Sequence, residues 1–228
     1  MSPGVDGSTP RKRRRRQLPR RNADRIVYDD SVFLNVPFDP RYRRLSDALV
    51  FAVYDCGFIA RSALEVEDSG QARVEKILNI IEQSKFGIHD ISRAGIDRNT
   101  KLARFNMPLE LGFFLGAKRF GSSRDQDKRC LVLDRERYRY RNFCSDIAGQ
   151  DIRAHNDDPK EAIRAVRDWL SSHRPGVLIP GGKMIFERYE GFRAQLNAQA
   201  RGVKLDHREL TFGDYTRLVV GWLTRNPW

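Results

Sequence analysis

The chain is poor in the residues that staple small scaffolds or bind metals. Its 228 residues hold three cysteines, Cys56, Cys130 and Cys144, an odd number with no C-x-x-C spacing. That excludes a disulfide framework and supplies no zinc ligand set, so reduced core or loop thiols are expected and no metal is called for. Long apolar runs are also missing. No stretch approaches about 18 consecutive apolar residues, and no apolar segment follows the charges near the amino terminus, which argues against a membrane span or a secretory leader. A cytoplasmic protein without membrane contact is the expectation. No G-x-G-x-x-G follows the first apolar run, and G-x-x-x-x-G-K-[ST], G-x-S-x-G, H-E-x-x-H and a His-Cys-Cys deaminase spacing are all absent. Hydride transfer on a Rossmann site and P-loop chemistry therefore lose their sequence support.

Arginine is what the chain has in excess. Lys and Arg number 42 against 30 Asp and Glu, a formal charge of +12. The excess is concentrated: eight basic residues between Arg11 and Arg21 face a single acid, Asp6, so residues 1–22 carry +7 and the remainder +5. Residues 1–22 have only Val5 and Leu18 as larger apolar side chains, and residues 1–30 read as a disordered basic tail. Its functional reading is electrostatic capture of a polyanion, without sequence readout; the competing reading is a solubilising extension.

From Ser31 onward, short apolar runs alternate with helical periodicity, the pattern of βαβ units. Strands are expected at Ser31–Pro37, Phe58–Ala60, Phe86–Ile91 and Cys130–Leu133, with a weak fifth at Asp151–Arg153. The helices between them start with Leu45, Leu49, Ala52, Val53 and Cys56, closed by Gly57, and continue with Val74, Ile77, Leu78 and Ile81, then Met107–Ala117. Asp158, Pro159 and Glu161 form a capping-box arrangement for a fifth helix. The expected fold is a flavodoxin-like, doubly wound α/β domain over residues 31–174, with a parallel sheet of about five strands in the order 2-1-3-4-5. Residues 175–228, with helices at Phe186–Ala200 and Tyr215–Leu223, read as a helical extension packed on that domain.

Ligands of open α/β sheets bind outside the carboxyl ends of the strands. Candidates there are Asn35, Pro37, Phe38 and Asp39 after strand one, Arg61 after strand two, and Asp90, Ser92 and Arg93 after strand three. Arg61 and Arg93 offer forked donors for a phosphate, and Phe38 a ring for a base; each also has a plain structural alternative, a solvated arginine or a strand-end core residue. His89 alternates to the face opposite Asp90 and reads as a core histidine, while His155, His173 and His207 read as surface groups. The Arg135–Arg141 run, with Tyr138 and Tyr140, has the composition of a nucleic-acid patch, but its acidic neighbours favour a solvated loop.

The most informative segment is Asn106-Met107-Pro108-Leu109-Glu110-Leu111-Gly112. Asn106 is a plausible N-cap, and Glu110 is the only charged side chain from Met107 to Ala117. At helical spacing it shares a stripe with Phe113, Phe114 and Ala117, where an unpaired carboxylate costs several kcal/mol. The bland alternative is a first-turn acid gaining ~0.3–1 kcal/mol from the helix dipole.

Three segments, Asn-Val-Pro-Phe-Asp at 35–39, His-Asp-Ile-Ser-Arg at 89–93 and Asn-Met-Pro-Leu-Glu-Leu-Gly at 106–112, together resemble the TIR-like and nucleoside 2-deoxyribosyltransferase-like superfamily of bacteria. The resemblance covers roughly residues 31–172. It implies that Glu110 works on a ribosyl–base bond, as nucleophile in a transferase or as ribose orienter and stabiliser in an NAD glycohydrolase. Asp90 and Ser92, with Asn35 and Phe38, would line the nucleotide pocket, and Asn106 and Met107 would flank it. The tryptophan that many TIR enzymes carry four residues before their glutamate is Asn106 here. The function so implied is N-glycosidic cleavage of a nucleotide, most simply NAD as substrate and not as cofactor, in bacterial signalling or anti-phage defence, by a chain that acts as a homo-oligomer. The alternatives are a deoxyribosyltransferase, or a non-catalytic nucleotide-sensing or self-assembly module.

Overall fold

The structure, a computed structural model, describes residues 28–37, 39–65, 68–95 and 104–228. Phe38 and the basic tail through Arg21 lie outside the described residues. After a short 3-10 turn at Tyr28–Asp30, the elements run β1 (Ser31–Asn35), α1 (Arg43–Asp55), β2 (Ile59–Arg61), α2 (Arg73–Glu82), β3 (Phe86–Asp90), α3 (Asn106–Phe120), α4 (Ser123–Gln126), β4 (Arg129–Asp134), β5 (Arg153–Ala154), α5 (Pro159–Ser171), α6 (Gly182–Gly202) and α7 (Phe212–Arg225).

All strand pairs are parallel, and the order is β2-β1-β3-β4-β5, the doubly wound arrangement that the βαβ pattern predicts. β1 and β3 are central and buried throughout, as near-continuous apolar runs require when helices cover both faces. Gly57 ends the α1 turn at φ 80°, a left-handed conformation that costs a side-chain-bearing residue energy. Gly87 in β3 serves a close approach: a Cβ there would lie 2.6 Å from His89 Nε2 and 2.8 Å from the Phe114 ring.

The two faces of the sheet are covered unequally. On one, α1, α5, α6 and α7 share a single apolar core with the inward side chains of the strands. Phe51 of α1 stacks on Phe192 of α6 at 5.5 Å between ring centroids, and Trp222 of α7 meets both rings within 6.0 Å. The two C-terminal helices therefore close the core over α1. Arg188 of α6 fixes them further through a hydrogen-bonded ion pair with buried Asp55 at 3.0 Å. On the other face α2 and α3 pack in two smaller clusters, one around Phe33, Ile77, Ile81 and Phe114, the other around Ile91, Met107, Leu111 and Val132.

Local chemistry departs from the sequence expectation at several places. Asn106 is the first residue of α3 and not its cap; Phe105 precedes it without a side-chain cap. β5 is shifted to Arg153–Ala154 and has two residues, because only Leu133 and Asp134 of β4 are in register with it. Asp158 caps α5 by accepting from the Lys160 N–H, with no return bond from Glu161. The complete capping boxes are at Ser122–Asp125 and Thr211–Asp214, starting α4 and α7. The Arg135–Arg141 run leads into a 3-10 turn at Arg139–Asn142 with Tyr140 buried, and Tyr138 takes φ 63° with the Arg141 guanidinium 4.7 Å from its ring centre.

Candidate functional site

β1 and β3 end side by side, with Asn35 in register with His89. The Asn35 amide donates to the Met107 carbonyl at 2.9 Å and to His89 Nδ1 at 3.0 Å. One buried side chain thus ties the first turn of α3 to the carboxyl edge of the sheet. Burial pushes His89 down to about 3, so the ring is neutral; with Nδ1 accepting, the proton sits on Nε2. That ring lies edge-on to Phe33 and Phe114, which is the core position expected from strand alternation.

Asp90 points to the other face and is fully buried. Its Oδ1 accepts the Ser92 N–H at 2.8 Å, and its Oδ2 accepts the Tyr42 hydroxyl. His155 Nε2 is 2.8 Å from the same oxygen, a close electrostatic contact whose N–H is not aligned as a hydrogen bond. Burial alone raises a carboxyl pKa, but His155, Ser92 and Tyr42 outweigh it and hold Asp90 below its usual value. Desolvation and the neighbouring carboxylate push the Tyr42 phenol well above its own, so it stays a donor. His155 is therefore no surface group: it is buried, with Nδ1 accepting the Asp157 N–H at 3.0 Å. His173 is also partly covered, packed on Phe86 and Trp169. The sequence signal for His155 is its place directly after the fifth strand, at the same carboxyl edge as Asn35 and Asp90.

Glu110 stands one turn into α3. It is 5% exposed, and among the described residues no group hydrogen-bonds or ion-pairs with its carboxylate. Burial pushes it up to about 7, with Arg73 of α2 the one opposing influence. A carboxyl with that pKa exchanges its proton near neutrality, as a general acid, base or charge stabiliser must.

The remaining candidates divide. Asp39 accepts the Tyr42 N–H at 3.2 Å and draws Arg93 (3.7 Å) and Arg104 (3.9 Å) towards it from either side of the segment leading into α3. The Ser92 hydroxyl, the Arg93 Nε and the Asn35 carbonyl oxygen are buried without a hydrogen-bond partner, three orphaned polar atoms at the carboxyl ends of β1 and β3. Buried polar atoms rarely stay unpaired, so such a group marks where water or a ligand completes the bonding. Pro37 is buried beside them, Met107 contributes its carbonyl while its side chain joins the core, and Asn106 is exposed. Arg61 is not brought to this group: its buried guanidinium binds Glu65 at 2.9 Å and Gln83 at 3.3 Å.

No family model, curated protein or solved structure matches the chain. The candidate site is therefore defined by its own geometry: a protonatable carboxyl on α3, a helix that Asn35 pins to β1, and unpaired polar atoms at the carboxyl ends of β1 and β3. Among the described residues no three His, Cys, Asp or Glu side chains are grouped to hold a metal ion, and no helix is long and apolar enough to cross a membrane.

Proposed function

We propose that this chain cleaves the N-glycosidic bond of a nucleotide, with Glu110 as the catalytic residue and an NAD-type dinucleotide as substrate. The observation that carries the reading is the buried, unpaired Glu110 carboxyl with its pKa near 7, one turn beyond the Met107 carbonyl that Asn35 holds. In the reaction the bond from C1′ to the base nitrogen breaks, and its electron pair leaves with the base. The positive charge developing on the ribose is stabilised by the Glu110 carboxylate, as in other oxocarbenium-like reactions. Water adds to C1′ and releases a proton to solvent; in a transferase a second base takes its place. Ser92 and Arg93 supply free hydrogen-bonding capacity for ribose and phosphate, and Asp39 orients Arg93. Asp90, with both oxygens engaged, acts by holding the Ser92 backbone. The setting is intracellular, in bacterial signalling or defence, with the segment Arg11–Arg21 available to a polyanion.

Base release from NAD and from deoxynucleosides, followed chromatographically for the native chain and Glu110→Gln, tests this directly. Loss of release in the variant is expected, and equal release by both proteins overturns the assignment.

A second reading, a homo-oligomeric assembly module, is favoured by one observation. Phe105 and Leu109, one helical turn apart and flanking the Glu110 turn, are 63% and 56% exposed. Large apolar side chains side by side on a surface suit a partner copy. Particle size measured against concentration, with base release followed in parallel, separates assembly with catalysis from assembly alone.

A further inference from the structure

The face of the sheet opposite α3 carries a cleft of its own. Its volume is about 450 Å³, and it lies between α1, the carboxyl ends of β1 and β2, and the turn that enters α7. Small-molecule sites occupy roughly 300–1,000 Å³, so the space suits one compact ligand. Its walls are mostly apolar, with Leu34 and Val50 from the sheet and α1 and Leu210 and Phe212 from the C-terminal hairpin. The hairpin that completes the core thus also completes the cleft.

Three polar side chains of α1, Arg43, Ser46 and Asp47, line this space. Asp47 has both carboxylate oxygens near a single donor, Arg43 Nε, at 3.1 and 3.3 Å, which leaves lone pairs on each oxygen for further donors. Ser46 donates its hydroxyl proton to the Arg43 carbonyl at 2.9 Å and keeps its acceptor capacity. A purely apolar occupant would strip water from Asp47 and return no hydrogen bond; the two arginines of the lining are already engaged, Arg43 by Asp47 and the Leu210 carbonyl and Arg208 by Asp206, so an anionic group would meet Asp47 and a second acid, Asp39, without a free cation among the described lining residues to offset them. The occupant that satisfies both walls and acids is a flat ring with adjacent N–H donors along one edge.

We propose that this cleft is a second small-molecule site, which takes a purine-type heteroaromatic ring between its apolar walls and binds the ring's N–H edge through the two oxygens of Asp47. The guanine edge, a ring N–H beside an amino group, matches a single carboxylate in bidentate fashion; the adenine edge offers one donor and one acceptor. Asp39 borders both regions, but occupation requires nothing of Glu110, so the site can be tested apart from the glycosidic reaction.

Titration calorimetry of the full chain with guanosine and with adenosine tests the assignment. Guanosine binds one to one, and adenosine binds at least ~10-fold more weakly, because a site built for hydrogen bonds rejects the analogue that leaves them unpaired. Glu110→Gln leaves guanosine affinity unchanged. Ser46→Trp, which fills the cleft from α1, lowers it at least ~10-fold, with circular dichroism verifying the fold. Should that variant not fold, Asp47→Asn provides the reading, through loss of the guanosine preference. Absence of saturable guanosine binding, equal affinity for both nucleosides, binding that survives in a folded Ser46→Trp, or binding that disappears in Glu110→Gln overturns the proposal.

Discussion

The two faces of the sheet solve different problems with the same strands. The α1 face buries its aromatics to completion: Phe51, Tyr189, Phe192 and Trp222 form one contiguous group, and Asp55 meets Arg188 where a charge has to be covered. The α3 face is built of smaller clusters, and α3 and the residue before it carry the unpaired Glu110 and the exposed Phe105 and Leu109, while orphaned polar atoms on Ser92 and Arg93 lie just beyond the carboxyl end of β3. One face is spent on stability and the other keeps its bonding capacity. Unsatisfied groups are tolerated on α3 because the opposite face carries the stabilisation, which is the usual relation between a scaffold and a strained site.

The contrast is broken most severely by emptying the packed face. Phe192→Ala removes the ring stacked on Phe51 and costs about 3–5 kcal/mol, read by denaturant unfolding. If the loss is below ~1 kcal/mol, the C-terminal hairpin is not part of the main core. On the other face Glu110→Gln acts in two directions. Base release falls on the order of 100-fold or more, as when a charge-stabilising group is removed from a site.

Stability moves the opposite way, and the sign follows from linkage. The folded pKa of about 7 lies above the ordinary glutamate value of 4.5, so the folded state holds a proton that the unfolded chain releases between those values. The protonated form is fully favoured below pH 4.5, and stability is lost as pH rises through 7. Glu110→Gln is therefore more stable than the native chain at pH 8, by roughly 3 kcal/mol at most, and equal to it at pH 4. Thermal melts at the two pH values check this. For the native enzyme, base release that depends on the carboxylate rises about tenfold per unit below pH 7 and levels above it.

Smaller effects sharpen the comparison. Asn35→Ala leaves the Met107 carbonyl and His89 Nδ1 without their donor, at a cost of about 1–3 kcal/mol, and base release declines further than stability does because α3 loses its anchor. Leu109→Ser, on the exposed turn, changes stability by no more than ~0.5 kcal/mol while shifting particle size toward the monomer in sedimentation.

Much of this was legible in the sequence, for physical reasons that differ from element to element. β1, β3 and β4 are near-continuous apolar runs, and burial on both faces leaves them little alternative. α3 declares itself by one charge among apolar residues, and that charge is Glu110. The capped start of α7 at Thr211–Asp214 is an equally local signal, whereas β5 lies later than its pattern predicts because two residues of pairing leave almost no periodicity. His155 and Tyr42 could not be assigned from pattern at all, since neither has a meaning until it meets Asp90 across 65 and 48 residues of chain.

Local sequence by itself determined the elements, the parallel sheet and the oddity of Glu110, because periodicity and side-chain size act within a turn or a strand. The tertiary structure decided which groups satisfy one another. Asp90 is held as a carboxylate by Tyr42 at the entry to α1, by Ser92 and by His155 beyond β5, while Glu110, also buried, has only Arg73 as an opposing influence. Two carboxyls that look alike in a sequence become a brace and a reactive group because pairing inside a low-dielectric interior depends on what the fold brings within ångströms of each oxygen.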